Sequence, residues 1–161
     1  MNKYSINIAD YIIRFENLSN TIDLVPSEKF LSFQCNDTKA DITIRVNSGC
    51  IELPENAVIV FDAPYVEEIN GMHIRKSDDF WKIRKSDDDL YITCTYPLSS
   101  VQKRSVLKFS LRSSVWDLTI SGIQGTVDPM DYPLDGLLLY YLTVMKGDIF
   151  IHASGADFNG K

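Results

Sequence analysis

Asp41-Ile42-Thr43-Ile44-Arg45-Val46 alternates without a break: Ile42, Ile44 and Val46 share one side, and Asp41, Thr43 and Arg45 the other. Successive side chains leave a strand on opposite faces, so this period of two predicts a half-buried β-strand. The pattern extends outward from there. Upstream, Tyr4, Ile6 and Ile8 alternate, and Tyr11 to Phe15 continues as a second strand after a turn at Ala9-Asp10. Downstream, Ala57 to Phe61 is continuously apolar, which predicts a more central strand.

Between Met72 and Tyr96 the pattern is that of an antiparallel meander, in which Ile-Arg-Lys-Ser-Asp-Asp occurs at 74–79 and again at 83–88. Each copy reads as a basic strand end running into a solvated Ser-Asp-Asp turn, with Trp81 and Ile83 facing the core between them. A duplicated acidic binding loop is the competing reading. Asp87, Asp88 and Asp89 are adjacent, however, and lack the alternate spacing and glycine of a calcium loop. Two more strands follow: Val106 to Leu111, with Leu107, Phe109 and Leu111 on one face, and Val115 to Ile120, with Trp116, Leu118 and Ile120 on one face. Short strands separated by turn residues predict a twisted antiparallel sheet or sandwich.

Gly122, Gly125 and Asp128-Pro129 mark a break, which divides the chain into a strand-rich domain over 1–128 and a second unit over 129–161. Beyond it the period changes. Leu134, Leu137, Leu138, Tyr141, Leu142 and Met145 form a helical stripe, predicting a helix over 133–146. Asp131 suits the N-cap or the position before it, Pro133 the first turn and Gly147 the C′ position. Leu139, Tyr140 and Val144 make the helix apolar nearly all round, so it is expected to be deeply packed, and to be the only long helix. The fold class is therefore mainly β (α+β): a sheet or sandwich, one long buried helix, then a strand over 148–153 that opens an incomplete β-hairpin. Asn159-Gly160 is a hairpin turn signal with only Lys161 after it. An unpaired strand at that edge would favour self-association.

Composition narrows the function. Over 161 residues, 45% apolar and 24% charged is ordinary globular usage. A formal net charge of −6 argues against general nucleic-acid binding. Neither a signal-peptide core nor a membrane-length apolar run is present. Cys35, Cys50 and Cys94 are odd in number and widely spaced, which predicts free thiols in a reducing cytoplasm.

The tail carries the one chemical hint. An apolar helix, a strand ending in Ile151-His152-Ala153-Ser154, and then Asn159-Gly160-Lys161 resembles the segment just before the phosphate-binding loop of HPr kinase-related proteins, within the group that includes ATP-dependent phosphoenolpyruvate carboxykinase. The resemblance covers Asp131 to Lys161, and the strand at Ala40 to Arg45 resembles the N-terminal part of the same proteins more weakly. It implies a P-loop kinase-like parent using ATP and Mg²⁺, with an unknown protein, peptide or small molecule as phosphoacceptor. It implies for His152 a catalytic role at the metal or the transferred phosphate, and for Ser154 a place near the substrate's phosphate. Against this, G-x-x-x-x-G-K-[ST] is absent from the chain, so 1–161 alone is expected to hold no nucleotide cofactor and to be inactive. The competing readings are a self-sufficient β-rich binding module, contacting a sugar or peptide through Trp81, Tyr91 and Trp116, and a non-catalytic scaffold. Packing in the core is the alternative job for those aromatics. His73 reads as a surface residue.

Overall fold

A computed structural model describes residues 3–36, 39–95, 103–130 and 134–147. The chain opens with a tight hairpin of β1 (Lys3–Ile8) and β2 (Tyr11–Asn17). Ala9 and Asp10 both take positive φ, 51° and 66°, the left-handed pair that a two-residue hairpin turn with matching twist requires. Tyr4 faces Phe15 across the ladder, and their rings stack with centroids 4.9 Å apart. A short β3 (Ile22–Leu24), one turn of helix α1 (Glu28–Leu31) and β4 (Gln34–Cys35) lead to β5 (Ile42–Ser48).

The expected alternation in β5 holds: Ile42, Ile44 and Val46 are buried, and Arg45 is exposed on the other face. Direction is where the structure departs from expectation. β5 runs parallel to β2 on one side and, on the other, to β10 (Val115–Ser121), so the sheet is mixed rather than wholly antiparallel. Side-chain alternation is the same in both kinds of ladder. What permits a parallel neighbour is the length of the crossover, here residues 18–41. On the polar face Arg45 forks onto Asp117 of β10, with Nε and Nη2 donating at 2.7 and 2.9 Å.

The remaining strands are β6 (Val58–Ile69), β7 (Met72–Ser86), β8 (Asp89–Thr95), β9 (Arg104–Ser110) and β11 (Gly125–Val127). Among the described residues nine strands form one sheet in the order β4-β1-β2-β5-β10-β9-β8-β7-β6, and β11 pairs with β3 in a small second sheet. The apolar run expected to be central instead begins the edge strand β6, and Val58, Ile59, Val60 and Phe61 are all exposed. A strand with one neighbour has half its flanks open whatever its composition. The register between β6 and β7 slips between Ile59 and Phe61 and again around Ala63, Tyr65 and Val66, and Pro64 lies within the slipped stretch. Bulges and proline are the usual means of blunting an open edge.

Among the described residues β7 pairs with β8 from Trp81 to Ser86, and residues 72–80 have β6 as their one strand neighbour, a two-stranded arm. Asn70 and Gly71, at φ 53° and 76°, close its tip. The first Ser-Asp-Asp copy is thus inside a strand, not in a turn. Ser77 Oγ accepts from the Asp79 amide at 3.2 Å where the register slips. The second copy behaves as expected, with Asp87 at φ 53° turning β7 into β8.

Helix α2 (Leu134–Lys146) starts within a residue of expectation. Leu134, Leu138 and Leu142 are buried in the same cluster as Val127, Met130 and the sheet. The Tyr141 ring meets Phe109 and Trp116 edge-on at 5.0 and 4.9 Å. The opposite face is open, with Val144 76% and Tyr140 54% exposed, so the helix is packed on one side rather than buried all round. Lys29 Nζ reaches Asp135 at 2.6 Å and ties α1 to its first turn. Gly147, at φ 75°, ends it with its amide on the Val144 carbonyl at 3.3 Å, the left-handed cap expected of that glycine. Asp131, Pro133, the strand at 148–153 and Asn159-Gly160 lie outside the described residues. Among the described residues α2 is the only long helix, and none is long and apolar enough to cross a membrane.

Candidate functional site

Three strands of the sheet, β2, β5 and β10, run in the same direction and end side by side at Asn17, Ser48 and Ser121. At a parallel strand end the chain must leave the ladder, and the loops that do so open a gap between them. In open α/β sheets, the crevice outside such carboxyl ends is where ligands commonly bind. Here the gap is a crevice of about 810 Å³. Thr21, Ser48, Ser121 and Gln124 line it with polar groups, and Cys50 and Arg104 border it. It continues into a second recess of about 520 Å³ bordered by Asn17, Ser19 and Asn47.

Local hydrogen bonds hold these loops. Asn17 donates through Nδ2 to the Ile22 carbonyl at 2.7 Å, and its Oδ1 accepts the Ser19 amide at 2.9 Å. The Ser19 and Thr21 hydroxyls are 2.9 Å apart. The Gly49 amide donates to the Ile120 carbonyl and the Gly125 amide to the Thr21 carbonyl, both near 3 Å, at 3.0 and 3.1 Å. Gly122 takes φ 76°, which lets β10 turn away sharply at the rim. Asparagine, serine and threonine beside glycine are the residues that make such turns, because their short side chains bond the neighbouring backbone.

Charge in the crevice is one-signed. None of the described lining residues is an aspartate or glutamate, in a chain with 22 of them, and Arg104 supplies a cation. Arg104 opens β9 between Thr95 of β8 and Ser121 of β10. Asp79 feels its charge: burial works to raise that carboxyl, but Lys82, Thr95 and Arg104 together bring it below the usual carboxylate range. Asp79 is itself held by Lys82 at 3.1 Å and Thr95 Oγ1 at 3.3 Å.

A second cavity, about 370 Å³, lies between α2 and the sheet, where Leu90, Phe109, Leu111, Leu137, Tyr140 and Val144 border it. Its lining is almost wholly apolar, and it offers few of the convergent polar groups that orient a ligand.

His152 and Ser154 lie outside the described residues, so the structure places neither of them. His73 is exposed near the arm tip, opposite Glu68. Cys94 is buried, and burial pushes its thiol up to about 12, against opposing effects of Ser105 and Lys103, which rules it out as a nucleophile near neutrality. Cys50 is exposed, Cys35 half-buried, and all three thiols are free. In the acidic turn after β7, Asp88 pairs with Arg112 at 2.8 Å and Asp89 with Lys108 at 2.8 Å. Among the described residues no cluster of three or more His, Cys, Asp or Glu could hold a metal ion. Trp116 is buried with Nε1 donating to the Ser113 carbonyl at 2.8 Å, Tyr91 is buried, and Trp81 stacks on Phe61 at 4.6 Å. Tyr91 and Trp116 therefore pack inside, whereas Trp81 is half-buried beside the exposed Phe61.

Sequence reading missed the crevice because its residues come from loops far apart in the chain and share no motif. The polar runs Asn17 to Thr21 and Asn47 to Cys50 were the available signal, each a turn cluster directly after a strand. No family model matches the chain, and no curated protein and no solved structure matches it either.

Proposed function

We propose that this chain is the recognition part of an HPr kinase-like, ATP-dependent phosphotransferase of the cytoplasm. In this reading the strand-rich region 1–128 binds the acceptor or docks it, and the nucleotide chemistry belongs to a P-loop encoded beyond Lys161. The crevice at the ends of β2, β5 and β10 carries the recognition half: it sets hydroxyl and amide side chains beside the apolar Ile51 and Ile123, is sized for a small molecule or a few residues of a peptide, and is bordered by one cation. The kinase half rests on the likeness of 131–161 to the segment preceding the P-loop. There His152 would serve as ligand to Mg²⁺ or donor to the transferred phosphate, and Ser154 would sit near that phosphate.

The test is to read the coding DNA past Lys161. An apolar strand and then G-x-x-x-x-G-K-[ST] within roughly 15 codons is the expected result. A stop codon directly after Lys161 would remove the kinase half and leave a self-sufficient β-rich binding module. Where the loop is present, His152→Ala in the longer protein is expected to lower phosphoryl transfer at least about a hundredfold, and an unchanged rate would take His152 out of the site.

A further inference from the structure

The crevice is suited to one class of ligand more than to others. Its described lining combines a guanidinium, several hydroxyls and side-chain amides with the apolar Leu18, Ile51 and Ile123, and no carboxylate, although the chain as a whole carries a net charge of −6. We infer that the crevice binds a small oxyanion, a phosphate or carboxylate group on a compact polar molecule, with Arg104 as the anchor. This deepens the recognition reading above and rests on it.

Five features support the assignment. A guanidinium presents a planar fork that accepts two oxygens of a phosphate or carboxylate at once, an advantage an ammonium lacks. Its position in register between Thr95 and Ser121 places it at the mouth of the crevice, on a strand rather than on a loose loop. Asp79, the carboxylate that feels its charge, takes its hydrogen bonds from Lys82 and Thr95 rather than from the Arg104 fork. The hydroxyls of Ser48, Ser121 and Thr21 then surround the remaining oxygens with donors that a neutral apolar ligand would waste. An anion entering here meets no lining carboxylate to repel it.

Cys50, exposed on the crevice wall, is a built-in reporter. Its alkylation by iodoacetamide, a neutral reagent, is followed by mass spectrometry at constant ionic strength, with half-buried Cys35 on β4 as the internal control. The probes are inorganic phosphate, citrate and neutral glycerol. Saturable slowing at Cys50 by phosphate or citrate, with Cys35 unaffected and glycerol without effect, is the expected result. Arg104→Met should raise the half-maximal anion concentration about ten- to a hundredfold, and Arg104→Lys should raise it less, since the charge stays and the fork goes. Thermal melting of both variants shows that they are folded. Slowing by anions that is equal in the wild type and in Arg104→Met, or slowing by glycerol alone, overturns the anion assignment while leaving a recognition site. Absence of slowing by all three probes overturns the site together with the recognition reading.

Discussion

Strands β5 and β6 both carry strings of branched apolar residues, Ile42-Thr43-Ile44-Arg45-Val46 in one and Val58-Ile59-Val60-Phe61 in the other. β5 has a strand on each side and a layer of side chains over its apolar face, and Val46 is fully buried. Among the described residues β6 has one strand neighbour, and its four apolar residues are between 46% and 61% exposed. The more continuous apolar run is therefore the more exposed one. Burial follows from the neighbours a strand acquires, and those are set by chain connection rather than by the strand's own composition.

The largest effect is expected on the β5 side. Phe15, on the neighbouring strand β2 and fully buried, should cost about 3–5 kcal/mol when replaced by alanine, measured by urea unfolding, while Val60→Thr at the open edge should stay within about 0.5 kcal/mol. Near-equal losses at the two positions would break the contrast. The same logic divides the helix: Leu138→Ala is expected to cost about 2–5 kcal/mol and Val144→Ala to be nearly neutral, because one is buried and the other faces solvent.

A third expectation concerns alkali. The Cys94 thiol stays protonated in the fold up to about 12, whereas in the unfolded chain it ionises near its ordinary value of about 8.5. The unfolded state therefore loses a proton first, and stability falls as pH rises from about 8.5 toward 12. Tyr4, raised above the ordinary tyrosine range by burial and then by Asp128, acts in the same direction at higher pH. Melting temperature measured from pH 8 to 11 should decline less steeply in Cys94→Ala than in the wild type; parallel curves would mean that Cys94 is not buried as described. The smallest effect belongs to the Arg45–Asp117 fork, whose partners are 44% and 45% exposed: Asp117→Asn should change stability by no more than about 1 kcal/mol, less in high salt. Amide exchange sharpens the whole comparison, since the arm at residues 63–80 should exchange well before β5 and β10.

Much of the local structure was legible. The hairpin at Ala9-Asp10, the alternation in β5 and β10 and the helix from Leu134 all express a side-chain period or a turn residue, which are properties of neighbouring positions. Asn70-Gly71 is an equally direct turn signal, and it, not the first Ser-Asp-Asp copy, makes the turn between β6 and β7. Residues 22–24, 34–35 and 125–127 form strands too short to show any period. The crevice could not be read at all, because Thr21, Ser48, Arg104 and Ser121 become neighbours only when three parallel strands end together.

By itself, then, the order of residues determined a β-rich chain with one long helix apolar nearly all round, three isolated thiols and a net negative charge. Only the tertiary structure decided that β5 runs parallel to both neighbours, that β6 is an edge, that α2 keeps one face open, and that a carboxylate-free crevice forms beside Arg104. The division has a simple cause. Periodicity and turn chemistry act over a few residues, whereas strand order and the convergence of loops depend on which distant segments pair, a choice made by the summed burial of the whole core.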